Sequence, residues 1–143
     1  MKNEILTGLL AIGSIVLLSG CGKSAIVCDD GDAQKTVMEI VEKEMKSQLY
    51  NGMFRGQIRP SEGFTERAEN ESDLDIAYTK EAEKVYKESN ANLSNIRTES
   101  MDNEIEKSEC AAEVNFANGN KLDITYSLSK TTDGNLYAEV SGL

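Results

Sequence analysis

The sequence predicts an α+β fold: an antiparallel meander of three to four strands, with one amphipathic helix packed across its apolar face. Three observations lead there. Apolar residues of the first third recur at helical spacing. Those of the last third alternate with polar ones between glycine-bearing turns. The alternating segments also keep one common apolar face when folded back on each other.

The helix is expected over 33–49. Val37, Val41, Met45 and Leu49 form one stripe, with Met38 and Ile40 beside it. Asp29, Asp30 and Asp32 surround Gly31 at its start, where carboxylates suit the positive end of the helix dipole; Asp32 is the expected N-cap. Glu39 with Lys43 and Glu42 with Lys46 face solvent at i,i+4 spacing, each pair contributing only a few tenths of a kcal/mol.

Residues 50–75 have no clean period. Gly52, Gly56, Pro60 and Gly63 punctuate them, and Met53, Phe54, Ile58 and Phe64 are their apolar anchors. This pattern predicts a long loop packed partly onto the domain, and long loops often carry binding function. Leu74, Ile76 and Tyr78 alternate as in a strand, whereas Ala82, Val85, Tyr86 and Ser89 have helical spacing. A short second helix over about 78–89 is expected.

Strands are expected at about 93–100, 105–117, 121–129 and 135–141. Register follows from arithmetic, because residues opposite one another must share a face. A two-residue loop at Asn118 and Gly119 would set Val114 against Asp123. Centring the turn on Gly119 instead pairs Phe116 with Leu122, Val114 with Ile124, Ala112 with Tyr126 and Cys110 with Leu128. Centring the next turn on Thr132, with Gly134 as a left-handed bulge residue, pairs Leu128 with Leu136, Tyr126 with Ala138 and Ile124 with Val140. In outline the arrangement resembles cystatin-like or NTF2-like folds, a likeness of topology that carries no function.

Composition narrows the chemistry. The 143 residues carry 15 Lys+Arg against 25 Asp+Glu, a formal net charge of −10, with no His and no Trp. Without His there is no His-based triad, and most zinc sites are removed. The acidic balance offers no basic patch to displace counterions, so no nucleic-acid partner is expected. No phosphate-binding glycine loop or nucleophile elbow occurs outside the N-terminal segment. Asp29, Asp30 and Asp32 do not fit a calcium loop, because the glycine is misplaced and the late ligand is missing. No catalytic residue, metal or cofactor is therefore expected, and the protein reads as a non-enzyme.

The N-terminus is read as an address. A short start with Lys2 and Glu4 precedes an apolar run, Ile5 to Leu18, broken by Thr7, Gly8, Gly13 and Ser14. The run is too short and glycine-rich for a span of ~20 apolar residues. It ends Leu18, Ser19, Gly20, Cys21. This motif resembles the lipobox of bacterial lipoproteins, and the resemblance covers about 24 residues. The resemblance implies a signal peptide over 1–20, cleavage after Gly20, and lipidation of Cys21, with palmitate-type chains on its thiol and new amino terminus. Two or three chains, at ~0.8 kcal/mol per buried CH₂, hold a domain on a bilayer durably. Gly22 in place of Asp implies, by the rule of Gram-negative members, the periplasmic face of the outer membrane. In a Gram-positive host the same anchor would sit on the outer face of the single membrane.

With Cys21 assigned to lipid, Cys28 and Cys110 remain, and an exported domain of this size is expected to join them in a disulfide. They are not a C-x-x-C pair, so a structural staple is expected. Its loop of about 80 residues would stabilise the domain by roughly 4 kcal/mol in the chain-entropy account. Residues 21–28 form a short tether of at most about 25 Å, and 29–143 form a single domain. The functional expectation is a membrane-anchored envelope lipoprotein acting as a periplasmic protein-binding module. The alternatives are an immunity protein or inhibitor covering a basic toxin or hydrolase, and an accessory part of an envelope secretion or conjugation machine. A charge of −10 would steer a basic protein partner. The 50–75 loop and the exposed acids of 99–109 are the expected contact regions.

Overall fold

The computed structural model describes residues 24–62, 64 and 70–143. The segment 1–20 expected to be a signal peptide, Cys21 and Gly22 lie outside the described residues. Two helices precede a four-stranded antiparallel meander, in the order α1 (Gly31–Phe54), α2 (Glu71–Ser89), β1 (Asn92–Asp102), β2 (Lys107–Asn115), β3 (Lys121–Lys130) and β4 (Leu136–Ser141). Neighbours in the chain are neighbours in the sheet, β1-β2-β3-β4. This is the α+β class expected, with α1 lying on one face of the sheet.

α1 begins earlier than its periodicity suggested. Asp30, not Asp32, is the N-cap: its carboxylate accepts from the Asp32 and Ala33 amides at 3.0 and 3.2 Å. α1 also continues five residues past Leu49. It stops at Phe54 in a Schellman motif, where the left-handed Gly56 (φ +69°) donates to the Met53 carbonyl and Gln57 donates to that of Gly52. The first five residues assigned to the long loop are thus helix. So are its last five, since α2 starts at Glu71 with Asn70 as its cap. The strand option for 74–78 fails for a packing reason. Leu74, Tyr78 and Ala82 stand at i, i+4 and i+8, and that stripe meets Met53 and Leu49 of α1.

The sheet face was assigned correctly and the register by two residues incorrectly. Val114 opposes Leu122, Ala112 opposes Ile124, and Cys110 opposes Tyr126. Leu128 opposes Ala138 and Tyr126 opposes Val140. Both turns are three-residue loops with glycine in the last position. Gly119 (φ +85°) donates to the Phe116 carbonyl and Phe116 to that of Asn120; Gly134 (φ +80°) and Thr131 repeat the pattern. A type I turn closed by a left-handed glycine centres the loop one residue before that glycine, on Asn118 and Asp133. A two-residue slip leaves side chains on the same face, which is why the apolar pattern could not detect it.

The core lies between α1 and the sheet. Ala33, Val37 and Val41 of α1 are buried against Val114, Ile124, Tyr126 and Leu128. Burying each such branched side chain contributes roughly 1.5–3 kcal/mol. β1, at one edge, carries two register irregularities, the first at the left-handed Asn95 (φ +49°). Bulges of this kind twist an edge away from pairing with another chain.

The chain entering α1 is fastened to one end of the sheet. Cys28 and Cys110 form a disulfide with Cα atoms 5.8 Å apart. The Tyr126 hydroxyl donates to the Cys28 carbonyl at 2.8 Å, Ser108 Oγ to the Ile26 carbonyl at 2.6 Å, and the Ala25 amide to Asn103 Oδ1 at 3.0 Å. The buried Ser108, on the apolar face of β2, thereby has a partner for its hydroxyl.

Candidate functional site at the helical tip

α1 has 24 residues, about 36 Å at ~1.5 Å per residue. It starts beside the Cys28–Cys110 staple, so its C-terminal turns lie at the far end of the domain from the entering chain. Four of the eight aromatic residues gather there. Tyr50 stacks on Phe54 (centroids 6.0 Å apart), Tyr78 meets the edges of both, and Phe64 stacks on Tyr78 at 5.2 Å. The Tyr50 hydroxyl donates to the Asp75 carboxylate. That bond, with the nearby negative charge, holds the phenol above its ordinary value of 10.0.

Residues 55–62 are a strap drawn over this cluster. Gly52 accepts from both the Gln57 and Ile58 amides, at 2.8 and 3.0 Å, so Ile58 folds back onto the helix end. At the other end, the Ser61 amide donates to Glu81 Oε1 at 2.8 Å, and Lys84 Nζ donates to Ser61 Oγ at 2.9 Å. Glu81 is buried on α2. The Ser61 hydrogen bonds, helped by Lys84, hold its carboxyl below the ordinary value of 4.5 against the opposing effect of desolvation.

The strap and the cluster enclose an open cleft of about 550 Å³ lined by Met53, Ile58, Arg59, Pro60, Phe64 and Tyr78. Ile58, in its wall, is 39% exposed, and Phe54, edge-on to Tyr78, is 55% exposed. Arg55 and Arg59, both exposed, are two of the three arginines among the described residues. Exposed aromatic and branched apolar groups beside arginine are the composition of protein-contact hot spots. A second cleft, of about 470 Å³, opens between the helices and the β2–β3 turn, with Met45, Leu49, Val85, Phe116 and Leu122 as its apolar walls.

The two regions expected from the sequence lie apart. The described residues of 50–75 form the tip. The acids of 99–109 line β1, its turn and the start of β2, at the end where Ala25 enters, and most are engaged within the domain. Glu106 pairs with Lys130 at 3.4 Å, Glu109 with Lys107 at 2.7 Å, and Glu99 with Arg97 at 3.5 Å. Asp102 accepts from the Glu104 and Ile105 amides at 2.9 and 3.3 Å. Apolar pattern alone points to none of Tyr50, Arg55 and Arg59 as site residues, and to Tyr78 only as part of an alternating stretch. The i,i+4 spacing of Tyr50 and Phe54, followed by Gly56 as a helix stop, was the available signal.

Among the described residues, no group of three or more acids or cysteines is placed to hold a metal ion. No described helix is long and apolar enough to cross a membrane. In comparisons with known proteins, no family model, no curated protein and no solved structure matches the chain.

Proposed function

We propose that this protein is a lipid-anchored envelope protein whose domain binds another protein through its helical tip, without catalysis of its own. The reading joins the lipobox-like Leu18–Cys21 motif, with Cys21 acylated at the periplasmic face of the outer membrane, to the polarity of the domain. That polarity is the observation that carries it. The entering chain is fastened at one end by the disulfide and three hydrogen bonds, and the aromatic and arginine residues cluster at the other. A moored domain of this shape holds Phe54, Ile58, Arg55 and Arg59 toward the compartment. The partner suited to them offers an apolar groove rimmed by carboxylates.

The inhibitor reading, in which acids cover a cationic toxin or hydrolase, draws less support. The acids of 99–109 are largely ion-paired, and the exposed apolar groups of the tip lie beside arginines. The test is affinity purification of the native protein from membranes, with intact-mass analysis. Acylated Cys21 and a protein retained by wild type, but lost from a folded Phe54→Ser, Arg59→Ala variant, are expected. Equal retention by both overturns the tip as the contact.

A further inference from the structure

The end of the domain opposite the tip carries exposed apolar side chains as well. Ile105 is 65% exposed, Val27 49% and Met101 42%. Ile105 occupies the β1–β2 turn, where its side chain neither supplies a left-handed backbone nor makes the local hydrogen bonds for which Gly, Asn, Asp and Ser are usual. The turn is braced by hydrogen bonds: Asp102 accepts from the Glu104 and Ile105 amides, and Lys130 donates to Glu106. Asn103 of the same turn accepts the Ala25 amide at 3.0 Å. Ala25 is four residues after Cys21, a reach of at most about 14 Å.

We infer that this end rests against the bilayer, with Ile105 seated in the headgroup and acyl boundary beside the lipid chains on Cys21. The inference rests on the anchored reading of the previous section and adds an orientation to it. The short covalent reach leaves the turn no room to stand far off from an acylated Cys21. An exposed isoleucine there loses contact with water when it enters the boundary, where apolar groups sit about 5–10 Å deep. The Lys130 ammonium offsets the Glu106 charge at this end, while Asp102, held by backbone amides, and Glu104 keep theirs, so a zwitterionic surface suits it better than an anionic one.

The chain has no Trp, so each substitution gives a single reporter. Full-length Ile105→Trp and Phe54→Trp proteins, purified from membranes, are placed in phosphatidylcholine vesicles with brominated chains. Hydrogen exchange of the unsubstituted protein is followed in parallel. The inference expects Trp emission to shift blue and lose most of its intensity at position 105 and to remain unchanged at 54. It also expects the 102–107 amides to gain protection on reconstitution. Protein that floats with vesicles but shows no quenching at 105 and no added protection overturns the orientation and leaves the anchor standing. Quenching at both positions overturns it as well, by showing a domain lying flat. Protein that fails to float overturns the anchored reading and this inference together.

Discussion

Ile58 is folded onto the α-carbon of Gly52, in the space a Cβ at position 52 would need. The Gly52 carbonyl also takes the Ile58 amide, so one residue of α1 supplies both the seat and the latch for the strap. Ordinarily Gly→Ala inside a helix stabilises by roughly 0.5–1 kcal/mol. Here that gain is offset because Ile58 must leave. Gly52→Ala should change the melting temperature little, while trypsin cuts sooner after Arg55 (the Arg59–Pro60 bond resists trypsin). Adding Gly52→Ala to Ile58→Ala should recover the helical gain of about 0.5–1 kcal/mol. Limited proteolysis and thermal denaturation of the four proteins check the pair.

The disulfide joins cysteines 82 positions apart in the sequence. Replacing both Cys28 and Cys110 by Ser should lower unfolding free energy by roughly 4 kcal/mol, mostly by freeing the unfolded chain. Urea titration with and without reductant measures it. Unaltered stability in reductant would mean the staple contributes nothing.

Tyr126 is buried, and its hydroxyl serves the Cys28 carbonyl. Tyr126→Phe keeps the ring and removes the donor, leaving a carbonyl in a dry site. A loss of about 1–2 kcal/mol is expected, together with faster exchange of amides around the staple.

Acid should release the strap. The carboxyl of Glu81 is held below its ordinary value of 4.5 in the folded state. Its contribution to stability is therefore complete above that value and is lost as pH falls through the lower folded one. Strap proteolysis should rise in this acid window for wild type. Glu81→Gln should already be loosened at pH 7 and show no further change there. Identical acid profiles for the two proteins would remove Glu81 from the latch.

Much of this fold was legible because period and parity are local properties. Val37 and Val41 mark one helix face, and Val114, Ile124 and Leu128 mark one sheet face, whatever the exact register. The register depended on which residue of each turn takes φ > 0. Treating Gly119 as the centre, rather than the closing residue, cost two positions without disturbing the pattern. The ends of α1 were hidden for a related reason. They are set by side-chain caps and a Schellman glycine, Asp30 and Gly56, which apolar spacing does not report. The tip was located only as a segment, since its cluster draws Phe64, Tyr78 and Glu81 from beyond the first helix. Glu81, embedded in a charged run, has the look of solvated surface until Ser61 is placed beside it.

The most direct test is photocrosslinking in living cells from a reactive side chain at position 54, compared with position 137 on the open face of the sheet. A moored, tip-binding domain should yield one dominant protein adduct from 54 and none from 137, and the adduct should fade when Cys21→Ser releases the chain from the membrane. The same adducts from both positions, undiminished by Cys21→Ser, would contradict both the site and the anchor.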